Sequence, residues 1–257
     1  MALGPRPSPR HGLARVLSKA GLCSRTEAAR WIAEGRVTVA GRVVRDAEFP
    51  ISAAMRARIA VDGRALPAAE RRYLMLNKPR GLVTTVRDER GRDTVYRCFD
   101  GAELPWLAPV GRLDRASEGL LLFCNDPAWA AAITDPALGP DKTYHVQVDR
   151  VPAPALLQHL HDGIDCDGEV LHAKSARVLR SGGRTAWLEV VLDEGRNRQI
   201  RRLMEACGLE VMRLVRVAIG PLALGTLAKG QWRELTAAEV AALAPPHATV
   251  ANGPGIG

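Results

Sequence analysis

From residue 73 onward, strand-forming runs outnumber helical patterns. The runs are Tyr73 to Leu76, Leu82 to Val86, Leu120 to Cys124, Thr143 to Val148, Glu169 to Val178, Ala186 to Leu192 and Leu214 to Ile219. Helical periodicity fits Pro127 to Ile133, Pro154 to His161, Arg196 to Cys207 and Ala237 to Ala244, and it does not alternate regularly with the strands. A doubly wound parallel sheet needs that alternation, so the order predicts an α+β domain on a mainly antiparallel sheet, spanning 73–244. A chain of 257 residues can bury such a core without metals or disulfides.

The first part of the chain reads differently. Residues 1–12, rich in Pro, Arg and Gly, read as a flexible leader. A short helix over Leu13 to Ala20 sets Val16, Leu17 and Ala20 on one face and closes at Gly21. Ser24 caps a second helix, with Glu27 completing a capping box and Ala28, Ala29, Trp31 and Ile32 as its apolar face. Beyond Gly35, Arg36 to Val39 and Arg42 to Val44 alternate about the Ala40-Gly41 turn, and Ile59 to Val61 leads into Asp62-Gly63. This small helix-helix-hairpin domain covers 13–65, a linker covers 66–72, and a flexible tail covers 245–257.

Charge is divided unequally between these parts. Residues 1–65 carry 12 Lys or Arg against 5 Asp or Glu, +7 of the chain's net +8. Arginine makes up 31 of the 36 basic residues, and its planar fork suits phosphate. Arg15, Lys19, Arg25, Arg30 and Arg36 lie on or beside two short helices, a pattern that fits a nucleic-acid partner. The five cysteines are scattered, with neither metal-pair nor disulfide spacing, and no apolar run reaches the ~18 residues of a membrane span. These features predict a cytoplasmic chain with no metal and no membrane association. The lone histidines His145 and His172, and the pair His159 and His161, read as surface or packing residues.

Chemistry concentrates at GRLDRASEGLLLFCND, residues 111–126. Asp114 sits in a turn just before an apolar strand, flanked by Arg112 and Arg115, which favour its ionised form. Such an acid can serve as nucleophile or base. Taken alone, an Asp between two arginines reads more readily as a surface ion pair in a loop.

Three further segments surround it in order: NKPRG at 77–81, KTYHVQVD at 142–149 and EGRNRQIRRLMEACG at 194–208. With the Asp114 loop and the closing IGPLALGTLAKGQWRELT at 219–236, they resemble the motif set of the RsuA/RluB/RluE/RluF family of ribosomal RNA pseudouridine synthases. The stretch KAGLCSRTEAARWIAEGRVTVAGRVV at 19–44 resembles the alpha-L RNA-binding module of a small-subunit ribosomal protein and many RNA-modifying enzymes. Departures from the family pattern, at Ala116, Pro127 and Pro140, bear on local RNA contacts rather than on the reaction.

The resemblance implies a catalytic domain with a central cleft that isomerises one uridine of ribosomal RNA, large-subunit RNA being favoured. No cofactor is implied, since the reaction has no redox step and needs no external group. Asp114 would be the catalytic carboxylate, attacking the sugar, attacking the ring or removing a ribose proton. Tyr144 would stack on the flipped uracil and help remove the last ring proton. Arg201 would pair with Asp114, Arg198 being the second choice. Arg112 would fill the gap left by the base or hold its phosphate. Lys78, Lys142, Arg196, Arg198, Ile200 and Arg202 would contact substrate RNA, while Arg15, Lys19, Ser24, Arg25, Arg30 and Arg36 would serve the RNA-binding module. The implied partner is ribosomal RNA or an assembling ribosomal particle, bound by a monomer. A ribosome-assembly protein that binds without turnover is the other reading, and the intact motif set argues against it.

Overall fold

The computed structural model describes residues 11–66, 70–86 and 88–243. Most of the leader, the centre of the linker, and Ala244 with the tail lie outside the described residues. The rest falls into two compact units.

The smaller unit runs to Arg72 and takes in Ala102–Ala108 and Cys124–Pro127. It opens on β1 (His11–Gly12), followed by α1 (Leu13–Lys19), α2 (Arg25–Ala33), β2 (Val37–Val39), β3 (Arg42–Val43), β4 (Pro50–Ile51), α3 (Ala53–Arg56), β5 (Ile59–Val61) and β6 (Arg64–Ala65). β1 pairs antiparallel with β4, which corrects the leader boundary at 12 because His11 and Gly12 belong to the fold. β3, β2, β5 and β6 form an antiparallel sheet in that order. Leu13, Leu17, Ala28, Ile32, Val37 and Ile59 close its core. The Ser24 hydroxyl accepts from Glu27 N at 3.1 Å, the expected N-cap. The Glu27 carboxylate does not return to close the box. It accepts from Trp31 Nε1 at 2.8 Å and pairs with Arg30.

Asn125, downstream of the central strand, belongs to this unit rather than to the catalytic span. Its amide accepts from Arg72 N at 2.8 Å and donates to Glu70 O at 2.9 Å, pinning the chain there.

The larger unit contains β7 (Tyr73–Lys78), a 3-10 turn at Val95–Phe99, β8 (Ala108–Val110), β9 (Glu118–Cys124) and α4 (Pro127–Thr134), each of these last three but for the one end residue that falls in the smaller unit, then β10 (Lys142–Val148), α5 (Pro154–Asp162), β11 (Ile164–Cys166) and β12 (Glu169–Leu171). It continues with β13 (Ser175–Ser181), β14 (Ala186–Leu192), α6 (Gln199–Ala206), β15 (Val211–Ile219), β16 (Leu222–Ala223), β17 (Trp232–Glu234) and α7 (Ala237–Leu243). The main sheet runs β13-β14-β10-β15-β9-β7-β17, with β8 beside β9 and β16 beside β15. β13 with β14, β14 with β10, β10 with β15, β15 with β16 and β7 with β17 pair antiparallel, whereas β15 with β9 is parallel at Val215↔Glu118 and Arg216↔Gly119. β9 is buried along its whole length, which explains its unbroken apolar run. Val146, Leu188, Val190, Leu203, Met204 and Leu160 form the core between one sheet face and α5 and α6.

The parallel contact is unusually close. A Cβ on Gly119, where φ is +102°, would lie 2.2 Å from the carbonyl oxygen of Arg216. No side chain fits there, so glycine sets the spacing of β9 and β15.

Three predicted elements are corrected. Leu82 to Val86 makes one isolated bridge, Val83 to Thr94, because its backbone bonds the loop at Asp93 instead of a strand partner. Glu169 to Val178 divides in two, since β12 pairs with β11 and β13 with β14; Ala173 N between them donates to Leu160 O at 2.7 Å. The helix expected from Arg196 begins at Gln199, because Arg198 is left-handed at φ 49° and cannot continue a helical turn.

Among the described residues, no helix is long and apolar enough to cross a membrane. Nor does any group of three His, Cys, Asp or Glu side chains among them lie close enough to hold a metal ion.

Candidate active site

A cleft of about 510 Å³ opens in the larger unit. Its floor comes from β10 and β15 through Lys142, Tyr144, Leu214 and Arg216, and one wall is the turn after β8 that carries Asp114. Gly195 to Ile200 form another wall, and Thr134 to Pro136 border it at the end of α4. The site is confined to this unit.

Asp114 owes its position to an unusual degree of main-chain anchoring. Five successive carbonyls of its loop each accept from outside the loop. Thr84 Oγ1 donates to Leu113 O at 2.7 Å, and Gly81 N donates to Arg115 O at 2.8 Å. Arg201 Nη2 reaches Ala116 O at 3.3 Å. Lys78 Nζ serves both Asp114 O at 3.2 Å and Ser117 O at 2.8 Å, with Pro79 O at 3.1 Å as its third acceptor. A loop whose carbonyls are each held this way has few competing conformations of similar energy.

Lys78, expected from the motif to contact substrate RNA, is instead buried beneath the Asp114 loop. Its side chain is 0% exposed and all three ammonium donors are spent on carbonyls. Burial pulls its pKa down to about 8, against the opposing pull of Asp114, Cys98 and Glu118. Beside it, Arg115 Nε donates to Gly81 O at 3.1 Å, so the NKPRG turn and the Asp114 loop hold each other.

The arginines of the α6 region divide into different tasks. Arg201 forms no ion pair with Asp114, nor does Arg198, which corrects the expected pairing. Arg201 instead donates to Ala116 O and to Val211 O at 3.4 Å, and its buried Nε has no partner among the described residues. Burial and Arg198 push its pKa down while Asp114 raises it, so the carboxylate is within electrostatic reach without contact. Arg202 bonds Glu169 and the Cys166 carbonyl, both at 2.6 Å, tying α6 to the β11–β12 ribbon, and it does not line the cleft. The guanidinium expected to contact RNA thus spends two of its donors inside the unit.

Arg196 lines the cleft and pairs with Glu194 and Glu169, each at 3.0 Å. Ile200 is buried and contributes an apolar wall. Arg112 and Arg198 line the cleft and make no ion pair or side-chain hydrogen bond among the described residues, so both guanidiniums are available to an anion. Lys142 sits on the floor, its pKa lowered first by burial and then by Arg216.

Two contributors escaped sequence reasoning. Gln199, 2% exposed, accepts from Arg196 N at 3.1 Å and donates to Glu194 at 2.7 Å and His172 O at 2.9 Å, organising the turn that displays Arg196 to Arg198. Arg216 is 6% exposed; its Nε donates to Leu120 O at 2.7 Å and its buried Nη2 has no partner among the described residues. A lone arginine inside the apolar alternation of LVRVAI was the available signal.

In the smaller unit, Arg25 pairs with Glu48 at 2.9 Å, Arg30 with Glu27, and Arg36 with Asp62 at 2.6 Å while also lying over the Trp31 ring. Arg15 and Lys19 on α1 make no ion pair among the described residues and remain open to phosphate.

Comparison with known proteins gives a consistent result. Residues 72–206 match the RNA pseudouridylate synthase family model, and residues 12–56 match the S4 domain. Ribosomal large subunit pseudouridine synthase B of Bacillus subtilis is 37% identical over 230 residues, covering 89% of this chain and 93% of the relative. An uncharacterized RNA pseudouridine synthase of Aquifex aeolicus is 36% identical over 231 residues, covering 89% and 92%. A crystal structure of a pseudouridylate synthase superposes with a TM-score of 0.64 at 29% identity, covering 92% of this chain and all of that one.

Proposed function

This chain belongs to the RNA pseudouridine synthase family, with an S4 domain ahead of its catalytic unit, and from that premise we propose that it isomerises a uridine of ribosomal RNA, in the large subunit, using Asp114. The family assignment makes the chain an isomerase that acts on RNA. The choice of ribosomal RNA is supported by the Bacillus subtilis relative, whose name gives the large subunit as its target. The substrate is that RNA, free or in an assembling particle.

The observation that carries the role of Asp114 is the anchoring of its loop at five consecutive carbonyls. Carboxylate chemistry at a sugar or ring carbon requires the acid to be held within about half an ångström of its productive position, and a pre-organised loop supplies that position before RNA arrives. The target nucleotide leaves its stack, at a cost of a few kcal/mol, to enter the cleft. Arg112 holds the flipped nucleotide, Tyr144 on the floor stacks against the base, and Arg198 binds a phosphate at the wall. Arg15 and Lys19 of the S4 domain add salt-sensitive affinity.

An Asp114→Asn variant keeps the loop's shape and removes the ionisable acid. Transcribed ribosomal RNA labelled with tritium at uridine C5 should still bind this variant and should release no tritium. Undiminished release would end the proposal. Pseudouridine mapping in ribosomal RNA from cells with and without the gene would identify the position.

A further inference from the structure

Arg216 stands beside Tyr144 on the cleft floor, and nothing in the reaction outlined above uses it. The two residues are cross-strand partners in the β10–β15 register, so their side chains leave the same sheet face about 5 Å apart at Cβ. On the other side of Arg216 is Gly119, which presents no side chain. The guanidinium is held at one point, Nε to Leu120 O, and no other nitrogen of it donates to the protein among the described residues. A nearly buried arginine with donors to spare costs stability. Unless a ligand takes those donors, that cost has no return, and a second cation, Lys142, lies close enough to be perturbed by it.

We propose that Arg216 is a catalytic residue that stabilises negative charge on the uracil during isomerisation. The inference rests on the reading of Asp114 and Tyr144 given above. Whichever route Asp114 takes, an electron pair moves into the pyrimidine. If the C1′–N1 bond breaks, with Asp114 either bonded to C1′ or holding a ribose proton, that bond's pair stays on the base and spreads over N1, O2 and O4. If Asp114 adds to the ring at C6, the C5=C6 pair moves to O4. Later the C1′–C5 bond forms, C5 gives up its proton and N1 gains one. Arg216 donates hydrogen bonds to the charged carbonyl oxygens throughout and transfers no proton of its own. A guanidinium at the edge of a base stacked on Tyr144 is where that charge appears, and because Arg216 is itself nearly buried, water screens it little.

The test uses the full chain, with Arg216→Gln and Arg216→Lys, on two transcripts of ribosomal RNA. One carries uridine tritiated at C5, and the other carries 5-fluorouridine, whose fluorine stabilises the ring anion without help from the protein. Single-turnover loss of starting nucleoside is followed on both, together with RNA affinity across salt. Arg216→Gln should slow the uridine reaction about a hundredfold, lose at least tenfold less on the fluorinated transcript, and bind RNA unchanged. Arg216→Lys should retain part of the rate. Because both rates come from one enzyme preparation, their ratio does not depend on how much of the variant is folded. Equal losses on the two transcripts would overturn the proposal. So would a weaker, less salt-dependent affinity, which would make Arg216 a phosphate contact. Activity in Asp114→Asn would instead defeat the underlying reading, whatever Arg216 does.

Discussion

Replacing Lys78 by methionine separates two incompatible roles for the NKPRG segment. Lys78 Nζ makes three hydrogen bonds to main-chain carbonyls at 2.8, 3.1 and 3.2 Å, two of them within the Asp114 loop. Bonds to a charged group contribute roughly 1.5–3 kcal/mol each. Against this, a pKa near 8 in place of the usual 10.5 means that keeping the ammonium buried costs about 3 kcal/mol. Methionine removes both effects and leaves carbonyls unpaired, for a net loss of roughly 2–5 kcal/mol. For a unit of this size that corresponds to a fall in Tm of roughly 5–15 °C, measurable by near-UV circular dichroism. RNA affinity and its salt dependence should not change.

The same substitution carries a pH signature. The folded pKa lies below the unfolded one, so between about pH 8 and 10.5 the unfolded chain holds the extra proton. The stability contributed by Lys78 therefore rises with pH through that window, and the Tm gap between wild type and Lys78→Met should widen from pH 8 to pH 10. An unchanged Tm together with weakened, salt-dependent RNA binding would refute the structural role and return Lys78 to the RNA interface.

Gly119→Ala should cost upwards of about 3 kcal/mol, since its Cβ would lie 2.2 Å from Arg216 O, while Gly183→Ala, which meets nothing within 4 Å, should stay within about 1 kcal/mol in a urea titration. Arg198→Ala should leave stability intact and reduce the salt slope of RNA affinity by about 0.7–0.9, as expected for one lost phosphate. Arg202→Ala should do the reverse, lowering Tm through its broken bonds to Glu169 and Cys166 O while leaving the slope unchanged. Tyr144→Phe keeps the ring and should preserve RNA affinity, with tritium release from C5 slowed; equal rates would remove the hydroxyl from proton transfer.

Some of this protein follows from the order of its residues alone. Ser24, three positions before Glu27, caps α2 because an N-cap needs only a hydroxyl within reach of a nearby backbone N–H. The strand runs at 143–148 and 186–192 reappear as β10 and β14 because alternation with a period of two is a local property of the chain. Asp114 stood out through its neighbours and the ordered motifs around it, and the cleft includes it together with Tyr144, Lys142, Arg112 and Arg198.

Tertiary contacts decided which charge has work left to do. Lys78 and Arg202 look like RNA ligands in the sequence, yet two of the three Lys78 bonds and both of the Arg202 bonds go to acceptors 33 to 39 residues away. Arg216 looks like a strand residue, yet it keeps donors to spare beside Tyr144 only because β15 lies between β10 and β9. Helix caps and strand alternation involve groups a few bonds apart, so residue order determines them. Whether a guanidinium or ammonium is satisfied depends on which distant carbonyl the closed chain brings within 3 Å, and that is known only after the fold has formed.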